Sequence, residues 1–369
     1  MLAGRERALA TVDLGAVRHN VVRLASLLPP GGKLCAVVKA NGYGHGAVAV
    51  AEAAQAAGAA WLGVATVDEA AELRAGGLAG PLMIFGALTG SELQNAVTAD
   101  ADVSVWSERF LIEAQKVGAR LHVKFNSGMG RLGADTATAE RLAVAAAASG
   151  RLAGLMSHFA TADEAETSYF NLQLDRFLDL ATKLKQRFPE MIAHTANSAA
   201  TLREPRAHCD MVRTGIAIYG LAPANDDPFK DDLRPAMRLS SYIADVRVVR
   251  PGESVGYGRR FIAERETRVA IVPIGYADGI ARSLTDRGTV LIGGHRCAIK
   301  GTISMDQLTV ELPGAVGKPG DEVVFIGLGN DQRILAEEVA QLLGTINYEV
   351  VCDVGPRVAR RYVGAESAA

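Results

Sequence analysis

Leu34-Cys-Ala-Val-Val-Lys39-Ala-Asn-Gly-Tyr43-Gly-His-Gly46, followed by the alanine-rich stretch Val48–Ala57, reads as a strand, a glycine loop and a helix. The run Leu34–Lys39 is apolar up to its last residue, as a strand buried on both faces would be. The three glycines after it let the backbone approach a ligand closely. Lys39 therefore stands at the mouth of a hydrophobic sheet, where an amine loses hydration, its pKa falls, and it becomes a better nucleophile toward a carbonyl. The plainer reading is a lysine snorkelling at a strand end beside a flexible loop.

The same unit recurs along the chain. Strand candidates follow at Trp61–Ala65, Leu82–Phe85, Val103–Trp106, Leu121–Phe125, Gly154–His158, Ile192–Thr195 and Met211–Arg213. Helical spacing appears between them, at Asp68–Ala75 and most extensively at Phe170–Phe188. Strand followed by helix, eight times over, argues for parallel pairing and a closed (β/α)₈ barrel, an α/β fold of the TIM type. An open doubly wound sheet is the alternative, but no Gly-x-Gly-x-x-Gly follows the first strand.

The pattern changes near Pro235. Leu239–Val249, Arg268–Ile274, Thr289–Ile292, Arg296–Ile299, Gln307–Leu312 and Glu322–Ile326 read as strands separated by turn signals such as Pro251-Gly252 and Gly293-Gly294. One helix-like segment, Ile334–Leu343, interrupts them. We expect residues 1–235 to form the barrel and residues 236–369 a mostly antiparallel β domain, with the extreme N-terminal residues able to pair with the latter.

Composition limits the partners. The chain has 369 residues, 49% hydrophobic and 22% charged, with a net charge of −2 and no basic or acidic block, so neither nucleic acid nor a disordered tail is expected. No uncharged stretch is long enough to span a bilayer, and Met1-Leu-Ala-Gly-Arg-Glu-Arg7 lacks the apolar core of a signal peptide. Cys35, Cys209, Cys297 and Cys352 are scattered and read as buried thiols in a reducing compartment, the cytoplasm. No metal site is expected.

Barrel enzymes carry their chemistry at the C-terminal ends of the strands. Polar residues collect there: Lys39; Lys124 with Asn126-Ser-Gly-Met-Gly-Arg131-Leu-Gly133; Ser157-His158; His194-Thr-Ala-Asn-Ser198; and Arg213-Thr-Gly215-Ile216. Singly, His158 or His194 is more readily a satisfied rim histidine than a catalyst. Together, one lysine, two arginines, two histidines and small-residue loops describe a pocket for an anion and an aldehyde. Ser198 and the Gly215–Ile216 backbone suit a phosphate, Lys39 can bond an aldehyde carbon, and Arg213 is a planar donor at any working pH. Pyridoxal phosphate has those three features: an aldehyde, a phosphate and a ring nitrogen.

The motif set resembles that of the alanine racemases. It comprises Ala36–Gly46, Gly128-Met-Gly-Arg131-Leu-Gly133, Ser157–Asp163, Ala196-Asn-Ser198, Val212–Ile216 and Tyr219-Gly220, then Gly256-Tyr257-Gly258, Gly275–Gly279, Ser304–Gln307 and Ile346–Glu349. These run in order over nearly the whole chain. The resemblance implies a homodimeric pyridoxal phosphate enzyme of fold type III that interconverts L- and D-alanine, for peptidoglycan supply or alanine catabolism. Lys39 would hold the cofactor as an aldimine and act as acid and base on one face of the substrate α-carbon, and Tyr257, from the partner subunit, on the other. Tyr43, Ser198, Gly215, Ile216 and Tyr348 would hold the phosphate. Arg213 would face the ring nitrogen with His194 behind it, and His158 would lie against both the cofactor and Tyr257. Arg131 and the Met305 backbone would meet the substrate carboxylate, while Tyr276 and Asp306 would line the entrance. Because an arginine cannot accept the ring nitrogen's proton, Arg213 should limit transamination. Lys124 matches a lysine that the family often carries as a carbamate, but the family's usual aspartate two positions on is Asn126 here.

Among competing activities, a broad-specificity or serine racemase is the near rival, with Tyr276 and Tyr348 crowding the pocket toward a methyl side chain. A pyridoxal phosphate decarboxylase of basic amino acids is opposed by Arg213 and Tyr257. A single-barrel cofactor carrier has no use for the β domain.

Overall fold

The structure is a computed structural model that describes residues 6–329 and 331–364. The charged start Met1–Arg5 and the last five residues of the expected β domain lie outside them. The first strand, β1 (Leu9–Asp13), leads into a helix, Leu14–Ala25, whose first turn is capped by the Asp13 carboxylate accepting from the Ala16 N–H at 3.1 Å.

Eight parallel strands then follow: β2 (Lys33–Val37), β3 (Trp61–Val64), β4 (Leu82–Ile84), β5 (Ala101–Val105), β6 (Leu121–Lys124), β7 (Leu152–Met156), β8 (Ile192–His194) and β9 (Met211–Thr214). From β2 to β8 each pairs with the next in sequence, and β2 also pairs with β9. Their near-continuous apolar text is that of strands covered on both faces. The barrel is nearly rather than fully closed, because no ladder joins β8 to β9. That seam is held instead by the Asp210 N–H donating to the Ala193 carbonyl at 3.0 Å and the Arg213 N–H to the Ala196 carbonyl at 2.9 Å. The strands also stop sooner than expected at their C-terminal ends: β2 ends at Val37, two residues before Lys39.

The β-rich part comprises β10 (Met237–Tyr242), β11 (Asp245–Val249), β12 (Ser254–Val255), β13 (Phe261–Ile262), β14 (Thr267–Val272), β15 (Thr289–Ile292), β16 (His295–Ala298), β17 (Leu308–Leu312), β18 (Glu322–Gly329), β19 (Gln332–Ile334) and β20 (Ala359–Val363). The expected single strand Leu239–Val249 is two. β10 joins the large sheet and β11 a three-stranded one, β11-β14-β17, with Ile243 and Ala244 turning between them. The expected helix from Ile334 begins at Ala336, since Ile334 pairs with Gly327 in β19, and a second helix, Asn347–Cys352, follows it. The large sheet runs β16-β15-β18-β10-β1-β20, so the first and last described strands lie side by side, in parallel, beyond the barrel. Neither declared itself in the sequence. β20 is a short edge strand with charged residues and carries little alternation, whereas β1 lies inside the sheet between β10 and β20 but is only five residues long. Of the thiols, Cys35 and Cys297 are buried as expected, whereas Cys209 is half-buried and Cys352 exposed; all four are free.

β20 also bears on the barrel mouth. The Arg360 guanidinium donates to the Gly44 carbonyl through Nε (3.2 Å) and Nη2 (3.0 Å), and to the carbonyls of Val354, Gly355 and Val358. Removing it leaves a group of partly buried carbonyls unpaired. We expect Arg360→Ala to lower stability by about 2–3 kcal/mol, read as the midpoint of urea unfolding. A midpoint equal to wild type would mean water replaces the guanidinium at no cost.

Candidate active site

Lys39 opens a turn of unusual hand. Ala40, Asn41, Gly42, Tyr43 and Gly44 have φ of 52°, 51°, 59°, 50° and 78°, a full left-handed turn. For alanine and tyrosine that conformation costs about 1–2 kcal/mol per residue. It is held from three sides. The Ala40 N–H donates to Glu69 Oε1 at 2.7 Å, while Glu69 Oε2 accepts from the N–H groups of Ala65 (2.7 Å) and Thr66 (3.2 Å) at the start of the helix Val67–Ala75. The Asn41 side chain accepts from the Ala47 N–H at 3.1 Å. The β-rich part closes the third side, where a side chain on Gly44 would meet the Val351 carbonyl at 2.1 Å and one on Gly46 the Tyr362 hydroxyl at 1.9 Å.

The barrel rim brings together Lys39, Lys124, Arg131, His158, His194 and Arg213. Burial, then the charge of Arg131, weakens the Lys39 ammonium, and Glu69 opposes them. Lys124 is pushed down to about 8 by burial and by Arg213, Arg131 and Lys39. Every neighbouring charge that acts on Lys124 and on His158 is positive. Such a pocket favours a multiply charged anion. Arg131 lies exposed on the loop after β6 and makes no hydrogen bond among the described residues, so its guanidinium is free to meet a carboxylate. Asn126 is occupied within that loop, its Oδ1 accepting from the N–H groups of Gly128 (3.2 Å) and Gly130 (3.0 Å).

Arg213 is buried and has no carboxylate beside it; burial brings its pKa down to about 10. Nη1 donates to the His194 carbonyl and to His194 Nδ1, both at 2.9 Å. Nη2 donates to the carbonyls of Ser157 (2.7 Å) and Thr195 (3.2 Å) and to His158 Nδ1 at 3.3 Å. Nε–H has no acceptor among the described residues. Since guanidinium only donates, the facing nitrogens of His158 and His194 must be acceptors, which puts each ring's hydrogen on Nε2. Both rings are disfavoured as cations, His158 down to about 3 and His194 far below its usual range, by burial and then by Arg213.

The residues expected to hold a phosphate lie on the neighbouring loops. Ser198 Oγ accepts from the N–H groups of Gly215 (3.0 Å) and Ala217 (3.3 Å), at the start of the tight turn Ile216–Tyr219. A side chain on Gly215 would meet the Tyr43 hydroxyl at 2.4 Å. Tyr348, on the helix Asn347–Cys352, has its ring 6.1 Å from that of Tyr43.

Tyr257, Tyr276, Met305 and Asp306 are elsewhere. Tyr257 is 73% exposed, on a tight turn after β12. Tyr276 and Met305 are exposed on adjacent loops, where the Ala277 N–H donates to the Met305 carbonyl at 3.1 Å. Asp306 accepts from Arg357 Nη2 at 2.5 Å. None of the four makes a hydrogen bond, ion pair or ring contact with the rim cluster among the described residues.

Several residues of the site were not foreseen. Glu69 was legible, since Thr66-x-x-Glu69 before an apolar pattern is a capping box. His122 was also legible in principle. It lies two residues before Lys124 on β6 and so shares a strand face with it. Its partner Asp102 and the clamp Arg360 carry no local signal.

Lys124 gives the first check of this electrostatics. With a pKa of about 8, roughly a tenth of its amines are neutral at pH 7, against far less than a hundredth for an exposed lysine. Competitive acetylation across pH 6–11 should therefore show Lys124 reacting with a midpoint well below that of the surface lysines. A shared midpoint would refute the charge arrangement.

Comparison with known proteins bears on what such a rim does. Residues 12–223 match the family model "Alanine racemase, N-terminal domain" and residues 236–362 "Alanine racemase, C-terminal domain". The chain is 42% identical over 366 residues to an alanine racemase of Desulfovibrio desulfuricans, covering 96% of this chain and 97% of that one. It is 44% identical over 377 residues to that of Mycobacterium tuberculosis, covering 98% and 97%. Among solved structures, the alanine racemase of D-cycloserine-producing Streptomyces lavendulae superposes with a TM-score of 0.92 at 42% identity, covering 98% of each chain. That of Streptomyces coelicolor gives 0.91 at 42%, covering 96% of this chain and 98% of the other.

Proposed function

The chain belongs to the alanine racemase family, whose reaction interconverts L- and D-alanine, and on that premise we propose how its residues divide the work. The observation that carries the assignment is Lys39 itself, an amine whose charge is weakened by burial and by Arg131 on a rim of cations.

The residues suit pyridoxal phosphate. Lys39 Nζ would be the amine for its aldehyde carbon, and Tyr43, Ser198, Gly215, Ile216 and Tyr348 would hold its phosphate. The unclaimed Arg213 Nε–H is a donor for its ring nitrogen. When bound, the cofactor withdraws electrons from the substrate's α-carbon and makes its hydrogen removable.

Arg131, with the Met305 backbone of the partner subunit, orients the substrate carboxylate. Lys39 Nζ takes or gives the α-proton on one face. Racemisation needs a second group on the opposite face, and Tyr257 of the partner subunit fills that role. What supports a shared site is that Tyr257 stands exposed and makes no hydrogen bond, ion pair or ring contact with its own chain's rim among the described residues, and that Tyr276 and Met305 are likewise exposed. His158 contributes polarity. With Nδ1 accepting from Arg213, its Nε2–H is a donor, which favours the phenolate form of a tyrosine brought against it. Tyr276 and Asp306 line the way in, Asp306 held by Arg357. Lys124, with much of its amine neutral near pH 8, can take up carbon dioxide as a carbamate that orients Arg131; Asn126, tied to its own loop, leaves that role to Lys124. In this assignment the barrel, ending near residue 235, holds the cofactor, and the unit beyond it supplies the second acid–base group to its neighbour. No helix among the described residues is long and apolar enough to cross a membrane. A cytoplasmic setting suits four free thiols.

Purified protein with pyridoxal phosphate and L-alanine in heavy water should yield D-alanine carrying α-deuterium, read by chiral chromatography and mass. Lys39→Ala and Tyr257→Phe should each lower kcat by ~10²–10⁴-fold. Deuterated L-alanine without D-alanine would mean that only one of the two groups works and would defeat the two-base division, and no exchange at all would defeat the assignment. Mixing the two inactive variants should restore activity, since each mixed dimer regains one intact site. No recovery after verified subunit exchange would rule out sharing.

A further inference from the structure

Behind Arg213 the barrel interior is polar where barrels of this type are packed with Val, Ile and Leu. His194 Nε2 lies 2.8 Å from His122 Nδ1, and His122 Nε2 lies 3.1 Å from Asp102 Oδ2. Both histidines and Asp102 are buried. Asp102 Oδ1 in turn accepts from Arg120 Nε at 2.6 Å, and Arg120, half-exposed, donates to Asp100 as well at 2.7 Å. The line runs from the far rim of the barrel to the guanidinium at the site.

Its polarity is determined from both ends. A carboxylate only accepts, so His122 carries its hydrogen on Nε2 and offers Nδ1 as an acceptor. A guanidinium only donates, so His194 accepts on Nδ1 and carries its hydrogen on Nε2. The two requirements meet at the His194–His122 contact as one donor and one acceptor. Any other placement of the two hydrogens sets donor against donor or acceptor against acceptor. Asp102 supports this as a carboxylate: burial raises it, but the bond from His122 and the charge of Arg120 outweigh burial and leave it below its usual range.

A second, independent feature reserves space for the line. A side chain on Gly154, in the neighbouring strand β7, would stand 2.2 Å from His122 Nδ1, the atom that bonds His194. Trp61 closes the other side, its ring edge-on to His122 at 5.7 Å and 81°. Strand pairing sets His122 opposite Gly154, so the missing Cβ lets the ring lie across β7 toward β8.

We infer that Asp102 and His122 are positioning residues: with His194 they form a one-directional line of hydrogen bonds that fixes the plane of the Arg213 guanidinium and leaves its Nε–H as the free donor at the site. This rests on the racemase assignment above for its purpose, since the donor is aimed at the cofactor's ring nitrogen. Loss of Asp102 removes the acceptor that dictates the His122 tautomer. His122 can then carry its hydrogen on Nδ1, which sets it against His194 Nε2–H and releases one of the bonds holding Arg213. Outer partners of this kind, when removed from an oriented histidine, cost ~10–100-fold in function.

Two measurements on the full-length enzyme test this. Nitrogen-15 spectra of [¹⁵N]histidine-labelled wild type, with the His122 and His194 ring signals each assigned by correlation to its own backbone, should show both with hydrogen on Nε2 only. Hydrogen on either Nδ1 overturns the inference, and this measurement needs no folded variant of the line. Asp102→Ala, loaded with pyridoxal phosphate, should lose ~10–100-fold in kcat with KM little changed, and the visible band of the bound cofactor should shift. Asp102→Asn keeps an oxygen that accepts from His122 and should recover most of kcat and the band, since Arg120 can turn into solvent away from the new amide. Equal losses in both variants with an unshifted band would mean that Asp102 only stabilises the barrel. Wild type that leaves L-alanine unchanged would sink the racemase assignment, while the nitrogen spectra would still decide the hydrogen-bond line.

Discussion

A guanidinium buried in the barrel without a carboxylate is the constraint on which the rest of this site depends. Burying an unpaired charge is costly, and Arg213 is kept by carbonyl dipoles and imidazole nitrogens instead of a counter-ion. Several consequences follow from that choice. The histidines facing it must be acceptors, so both are held as neutral rings with a fixed tautomer. Lys124, already weakened by burial, loses further affinity for a proton to the charge of Arg213. The pocket as a whole is short of negative charge, which a phosphorylated anion supplies. A carboxylate at position 213 would reverse each of these effects and would also stabilise the protonated form of a pyridine nitrogen placed against it.

The second organising feature is strain at Lys39. A left-handed turn that includes Ala40 and Tyr43 does not persist on local preference, and elements far apart in sequence enforce it. Glu69 pins its first N–H, Arg360 grips its last carbonyl, and Val351 and Tyr362 leave room only for glycine at positions 44 and 46. The β-rich part is thus tied to the barrel mouth of its own chain through the helix Asn347–Cys352 and β20. It carries Tyr348 to the rim by the same tie.

Much of the fold was legible. All eight barrel strands were located from apolar runs at regular spacing, because a strand covered on both faces has no choice but to be apolar. Boundaries shifted by at most two residues, at the rim because residues there extend the run without pairing, as at Val38 and Lys39. Leu239–Val249 looked continuous because periodicity does not register a change of sheet at Ile243. β1 and β20 escaped notice as strands, since each is five residues long and the ladders that define them, β1 with β10 and β1 with β20, join residues remote in the chain. Among site residues, those in glycine-rich loops at strand ends stood out. Asp102 did not, because an aspartate in a strand shows nothing of a partner 20 residues later.

The sequence by itself determined the alternation of strand and helix, the break near Pro235, and which residue types gather at the strand ends, since these follow from hydrophobic period and turn chemistry within a few residues. It also carried the family motifs in order along the chain. Only the tertiary structure decided that Arg213 has no counter-ion, that His122 and Asp102 stand in line behind His194, and that Tyr257 is held apart from its own Lys39. Those facts depend on distances between residues remote in the chain, and on which lone pair meets which hydrogen. No local pattern encodes them.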